Sequence, residues 1–275
     1  MSEITLGEGP GRANEKGKRG LVISGGTVEA AFAASYFNRL VWDGVIAADA
    51  GLRACEKAGI MPDLIVGDFD SLIPGVENQD ESGSTDVRVS AGRGTSTSSD
   101  AGNRSDDTGS CIREAGRRLL EKYEKAGVPV RRFLPEKDFT DTQIAVEAAI
   151  SLGCTQVHVL GGTGTRLDHM LGNLQVMEMA LDRGISMILV DARNRVSMHR
   201  EPFVITKGEQ WGRYISFIPW GGDARGLTLR GFKYPLEGAV LSHAQSLGIS
   251  NELSDETGEV FLRGGTLIMA ESADG

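Results

Sequence analysis

From Gly20 to about Arg195 the chain alternates short, unbroken aliphatic runs with stretches of helical period. Leu21-Val22-Ile23 predicts a first strand, 28–40 a helix and Val45-Ile46-Ala47 a second strand. Further strands are predicted at 63–68, 130–134, 157–160 and 187–190, with a helix over about 112–126 carried by Ile112, Ala115, Leu119, Leu120 and Tyr123. Strands without polar alternation are covered on both faces, and strands separated by helices are joined by crossovers. The pattern therefore predicts an α/β fold on a parallel, doubly wound-like sheet.

Thr140-Asp141-Thr142-Gln143 has the form of a capping box. It predicts a helix with Thr140 as N-cap, Ile144, Ala148 and Leu152 as the buried stripe and Gly153 as the stop. Another helix follows the glycines at 161–164, with Met170, Leu171, Leu174 and Met177 on its apolar face. Beyond Arg195 the helical period disappears, and strands are predicted at 214–218, 227–229, 260–262 and 266–269. That rhythm of strands and turns predicts a smaller all-β, sandwich-like domain. The expected division is a disordered tail over 1–19, an α/β domain over 20–195 and a β domain over 196–275, without internal repeats.

Composition changes this picture in one place. Between 77 and 110 the chain turns to Ser, Thr, Asp, Gly and Asn, with Val87 and Val89 as the large aliphatic residues. Such a segment buries too little to order itself, and it reads as a flexible polar insertion rather than a functional lid. At 40% hydrophobic, the 275 residues can fill one large core or two modest ones. The formal charge of -9 argues against nucleic acid as a partner, since phosphate backbones need clustered Lys and Arg. Cys55, Cys111 and Cys154 are odd in number and unpaired by spacing, which fits reduced thiols in the cytoplasm. No signal-peptide core opens the chain and no run of about 20 apolar residues occurs, so no membrane partner is expected.

The candidate chemistry lies in acids placed where strands end. Asp49 follows the second strand, Asp68 and Asp70 follow the third, and Asp138 and Asp141 flank the start of the capped helix. In extended geometry Asp68 and Asp70 point to one side, a repulsion that makes sense around a cation. Oxygen-only ligands select a hard ion, and Mg²⁺ is expected. Lys137, Asp138 and Thr140 crowd a strand-to-helix turn of the kind that holds phosphate, although a lone acid at a helix start is also explained by the macrodipole. Gly161 and Gly162 open a turn that lets backbone N–H groups approach an anion; Arg166 adds a fork for phosphate oxygens and Asp168 a further acid. His169 and His158 read as helix-surface or packed histidines, and His199 and His243 carry no signal. The P-loop string, GxGxxG, GxSxG and HExxH are all absent.

The Asp-Gly turn at 49–51, GDFDS at 67–71, KDFTDT at 137–142, GGTGTRLDHMLGN at 161–173 and Ser-Asn-Glu at 250–252, in that order, resemble the thiamine pyrophosphokinase family. The resemblance implies transfer of pyrophosphate from ATP to the hydroxyl of thiamine, giving thiamine diphosphate and AMP. It also implies a Mg²⁺ requirement, an α/β catalytic domain, a β-sandwich-like thiamine-binding domain, and a homodimer with thiamine at the subunit interface. It gives Asp49, Asp68, Asp70 and Asp141 to metal and phosphates, Gly51 to the nucleotide-side turn, Arg166 and Asp168 to the nucleotide-side loop, and Ser250 and Asn251 to thiamine. Asp70 or Asp141 is the expected proton acceptor, and Tyr234 or Trp220 an aromatic neighbour of the thiazolium. Ala50 and Thr165 stand where the family commonly has glycine. Two other readings share the same phosphate machinery: pyrophosphate transfer to another hydroxymethyl heterocycle such as a pterin, and a non-catalytic sensor of thiamine diphosphate or nucleotide.

Overall fold

The computed structural model describes residues 17–69, 72, 105–133, 138–164 and 166–274. Asp70, Lys137 and Thr165, and the expected insertion as far as 104, lie outside the described residues. Six parallel strands run in the order β4 (Val130–Arg132), β3 (Leu64–Gly67), β2 (Gly44–Ala48), β1 (Lys18–Ile23), β5 (Cys154–Leu160) and β6 (Ser186–Val190). The sheet continues antiparallel through β7 (Asn194–His199), β12 (Gly264–Ser272), β9 (Tyr214–Arg230), β11 (Thr257–Phe261) and β8 (Phe203–Thr206), with β10 (Leu236–Leu241) paired to β9. It is a mixed sheet, helical along its parallel part and all-β beyond it.

Alternation along the strands explains their unbroken apolar runs, because successive side chains serve opposite faces. Val22, Ile46, Val66 and Val159 pack with α4 (Asp141–Ser151) and α5 (Leu167–Asp182). Their neighbours Leu21, Ile23, Val45, Ala47 and Ile65 pack with α1 (Ala30–Phe37), α2 (Gly51–Ala58) and α3 (Ser105–Lys125). A third cluster, including Phe217, Leu229, Phe232, Val260 and Leu267, fills the C-terminal strands.

Several expectations are corrected. Helix α3 begins at Ser105, inside the segment expected to be a loop, and the short α2 was not anticipated. The buried residues of α4 are Thr142, Ala145, Val146, Ala148 and Ala149, while Leu152 is exposed. Small residues win that face because the helix lies close to the sheet: a Cβ on Gly20 would stand 3.2 Å from the Ala149 Cβ. Thr140 caps as expected, its Oγ1 accepting from the Gln143 N–H at 3.2 Å, but the Gln143 side chain donates to Glu147 instead of returning to the cap. On α5 the buried side is Asn173, Leu174, Val176, Met177 and Ala180, and Leu171 faces outward. The stretches 214–218 and 227–229 belong to one strand, β9; Gly221 and Gly226, at φ 70° and 68°, read as turns but sit within it.

Candidate active site

The carboxyl ends of β1, β2, β3 and β5 converge with the start of α4. Asp49, directly after β2, adopts the left-handed region (φ 46°) and is buried, its N–H donating to the Val66 carbonyl at 2.8 Å. That bond ties the end of β2 to β3. Gly67 permits the approach, since a Cβ there would lie 3.1 Å from the Asp49 Cα. Asp68 follows β3 and is half-buried; the next residue, Phe69, turns left-handed at φ 66° and buries its ring. Asp141, also half-buried, opens α4 behind the Thr140 cap.

Three separate segments thus bring Asp49, Asp68 and Asp141 together, with one carboxylate oxygen from each lying within 4.8 Å of the others. Carboxylates at that spacing repel one another, and a cation between them would offset the repulsion. The donors are all carboxylate oxygens, a set that fits a hard divalent ion such as Mg²⁺.

The acids border a cleft of about 280 Å³ lined by Ser24, Asp49, Ala50, Thr140, Asp141, Thr142, Gly161, Gly162, Gly164, Arg166, His169 and Asn173, among others. Its far wall is two interlocked glycine loops. A Cβ on Gly26 would meet the Gly161 carbonyl oxygen at 2.2 Å, and one on Gly161, at φ 75°, would meet the Ser24 carbonyl oxygen at 2.7 Å. Gly162 is similarly confined by Leu189, and Gly51 by the Ile23 carbonyl oxygen, which a Cβ would approach to 2.0 Å. Close backbone packing therefore demands Gly26, Gly51 and Gly161, whatever anion the loops hold. Asn173 Nδ2 donates to the Gly162 carbonyl at 2.8 Å, and the Ser24 and Thr142 hydroxyls share a 2.6 Å hydrogen bond. Sequence reasoning missed Ser24, Thr142 and Asn173, whose partners are distant along the chain.

Arg166 lines the cleft and is paired with Asp168 through two hydrogen bonds, of 3.2 and 2.5 Å. That pairing lowers the Asp168 pKa and raises that of Arg166, and both side chains remain exposed. Asp168 thus stands as the partner of Arg166, outside the cleft lining, and Asp138 is exposed and likewise outside it. His169, read from sequence as a bland helix residue, lines the cleft. His158 is buried, bonded through Nδ1 to the Tyr36 hydroxyl at 2.5 Å, and burial pushes its pKa down to about 3. Burial pushes the Cys55 thiol up to about 12 and raises Cys154, which leaves both thiols unreactive.

The two residues assigned to the thiamine side lie elsewhere. Leu229, Tyr234, Leu236, Leu247, Gly248, Ile249 and Asn251 form a concavity of about 220 Å³ that shares no lining residue with the acid cleft. Asn251 is buried: its Oδ1 accepts from the N–H groups of Tyr234 (3.0 Å) and Glu252 (2.9 Å), and its Nδ2 donates to the Tyr234 carbonyl (2.9 Å). Ser250 is exposed at φ 58°, with its N–H on the Ser216 hydroxyl at 3.0 Å. Tyr234 is exposed beside this concavity, whereas Trp220 is half-buried against α5, donating to Glu178 at 2.8 Å, and lies outside it. Among the described residues, no helix is long and apolar enough to cross a membrane.

Residues 41–189 match the family model described as thiamin pyrophosphokinase, catalytic domain, and residues 203–267 match that described as thiamin pyrophosphokinase, vitamin B1 binding domain. The chain is 34% identical over 218 residues to the thiamine pyrophosphokinase of Bacillus subtilis (strain 168), covering 77% of this chain and 98% of that protein. A crystal structure of thiamine pyrophosphokinase from Bacillus subtilis superposes with a TM-score of 0.70 at 28% identity, over 94% of this chain and 100% of that one. Thiamin pyrophosphokinase from Candida albicans, at 14% identity and a TM-score of 0.66, shares the fold over 100% of this chain and 97% of its own.

Proposed function

The chain belongs to the thiamin pyrophosphokinase family, and from that premise we propose that it transfers pyrophosphate from ATP to the hydroxyl of thiamine, releasing AMP. The observation that carries this reading is the convergence of Asp49, Asp68 and Asp141 from three separate segments beside a glycine-walled cleft. In the reaction the thiamine oxygen forms a bond to the β-phosphorus as the bond from that phosphorus to the α-phosphate oxygen breaks, and the hydroxyl proton passes to a base. Positioning and charge neutralisation supply most of the acceleration for such a transfer.

Asp49, Asp68 and Asp141 are the proposed Mg²⁺ ligands, joined by Asp70 on the strength of its two-residue spacing from Asp68. Bound Mg²⁺ would neutralise charge on the phosphate oxygens. Arg166, tethered by Asp168, steadies the α-phosphate side as AMP departs, and the loop at 161–164 orients the polyphosphate. Thr140 fixes the start of α4 and with it Asp141, and Lys137 and Asp138, which precede that helix in sequence, are proposed for the phosphate side. Asp141 or Asp70 accepts the hydroxyl proton.

The acceptor is placed at the Tyr234 concavity, with Ser250 at its margin. That concavity lies apart from the acid cleft, which supports a homodimer in which a second copy of the chain completes each site. The exposed Tyr234, Leu247 and Ile249 are the surface that copy would cover. The division of labour follows the α/β segment 20–195, doubly wound in form, and the β segment 196–275, in a cytoplasmic enzyme with reduced thiols. An assay of AMP release from ATP tests the proposal: release should require both thiamine and Mg²⁺. Release driven by a hydroxymethylpterin and not by thiamine, or none with either acceptor, would contradict it.

A further inference from the structure

Helix α2 opens directly behind Asp49, whose carbonyl accepts the Leu52 N–H at 3.1 Å, while the Ala50 carbonyl accepts the Arg53 N–H at 3.0 Å. Packing leaves this helix no room to slide: Leu52 and Cys55 are buried, and Gly51 lies against the Ile23 carbonyl. Asp68 belongs to a neighbouring turn that is pinned on both sides. Before it, the Gly67 carbonyl accepts the Phe133 N–H at 3.1 Å. After it, Phe69 buries its ring against the Arg132 guanidinium, 5.3 Å from the ring centroid, and Arg132 is in turn held by Glu124 of α3 at 2.9 Å. A φ of 66° is uncommon for so bulky a residue and persists only where its surroundings impose it. Leu72 is fully buried in the same core cluster as Leu52, Cys55 and Phe69. Its carbonyl accepts from the Arg53 guanidinium at 2.7 Å, so Arg53 joins the helix that begins at Asp49 to the segment that follows Asp68.

We propose that Arg53 is a positioning residue of the metal centre: its bond to the Leu72 carbonyl sets the separation of the Asp49 and Asp68 carboxylates. The inference rests on the reading of Asp49, Asp68 and Asp141 as ligands of one ion, and adds what holds two of them in register. Carboxylates gathered within 4.8 Å repel one another before the ion arrives, so the backbone that carries each must resist the repulsion. Asp49 is restrained by its bond to the Val66 carbonyl and Asp141 by the Thr140 cap. For Asp68 the restraint is the buried Phe69 and the Leu72 carbonyl in the grip of Arg53. Mg²⁺ demands near-octahedral oxygens at about 2.0–2.1 Å, and a ligand turn displaced by about 0.5 Å loses affinity. The direction of the effect separates a tie from a mere charge. Acting only as a positive charge, Arg53 would repel the ion, and its removal would tighten binding; acting as a tie, its removal weakens binding.

Calorimetric titration of Mn²⁺ into the full chain tests this with three variants: Arg53→Met, which keeps the stem and removes the donors, Arg53→Lys, and Lys122→Met as a control. Lys122 of α3 bonds Glu56 at 2.6 Å, one turn further along α2 and away from the acids, so it reports what loosening the helix alone does. Arg53→Met should weaken Mn²⁺ by roughly five- to tenfold, Arg53→Lys by about two- to threefold, and Lys122→Met not at all. In the AMP-release assay the Mg²⁺ concentration for half-maximal rate should rise in Arg53→Met by the same factor, with kcat at saturating Mg²⁺ restored. Unchanged or tighter Mn²⁺ binding in Arg53→Met, or equal weakening in Lys122→Met, would overturn the tie. Should Arg53→Met fail to fold, Arg53→Lys decides, an unchanged affinity there overturning it. A wild type that binds no Mn²⁺ contradicts the metal centre itself, whereas a wild type that binds it no better than Arg53→Met overturns the tie and leaves the centre standing.

Discussion

At the carboxyl edge of β2 and β3, a buried Asp49 stands within 4.8 Å of two further carboxylates, while in β12 the fully buried Glu271 is met by one guanidinium and a backbone donor. Arg195 binds both Glu271 oxygens, and the Trp211 N–H donates to one of them at 3.0 Å. The first region gathers carboxylates from three separate segments; the second pairs one carboxylate with one guanidinium. The difference separates a site from a strut. A buried ion pair with satisfied hydrogen bonds serves the fold, whereas a cluster of like charges held by backbone bonds and close-packed glycines is arranged for something that arrives from outside.

Substitutions at the two places should therefore have opposite signatures. Asp68→Asn is expected to lower acceptor-dependent AMP release by about 10³-fold while the melting temperature stays within a few degrees of wild type. A large loss of stability with normal turnover of the remaining folded protein would erase the contrast. In the strut, Glu271→Ala leaves Arg195 buried without its carboxylate and should cost about 3–5 kcal/mol in denaturant unfolding. A change below about 1 kcal/mol would mean that the pair is not the support described.

A third expectation concerns pH. With its pKa pushed down to about 3, His158 stays neutral in the folded protein, while in the unfolded chain it protonates below about 6.5. The unfolded state then binds more protons, so stability is full above that value and falls as pH drops towards 3, by about 2 kcal/mol between pH 6.5 and 5. His158→Gln should flatten that slope in melts across the range. An unchanged slope would remove His158 as its source. The smallest effect is expected at Asn251. Asn251→Ala removes the clamp on Tyr234 and should cost about 1–2 kcal/mol, with a raised KM for thiamine and an unaltered KM for ATP. An equal rise for both substrates would place Asn251 outside the acceptor side.

The acids were legible because each follows an aliphatic run or a helix cap, features that local sequence encodes. Strand order was not, and neither were the partners that shape the cleft. Ser24 meets Thr142 across 118 residues, and Asn173 reaches back to Gly162 only because α5 folds over its own loop. Short elements also escaped: α2 carries Arg53, Glu56 and Lys57 among eight residues, and β7 interleaves Arg195, Ser197 and His199 with its apolar positions. The buried face of α4 was misjudged for a related reason. Large aliphatic residues mark a buried stripe only when the gap to the sheet is wide, and here alanines fill it.

Whether the three aspartates hold one ion can be measured directly by titrating the protein with Mn²⁺ and following the free ion by electron paramagnetic resonance. Wild type should bind the ion, Mg²⁺ should displace it, and Asp49→Asn, Asp68→Asn and Asp141→Asn should each weaken binding by roughly tenfold or more. The same affinity in wild type and all of the variants would contradict a shared metal centre.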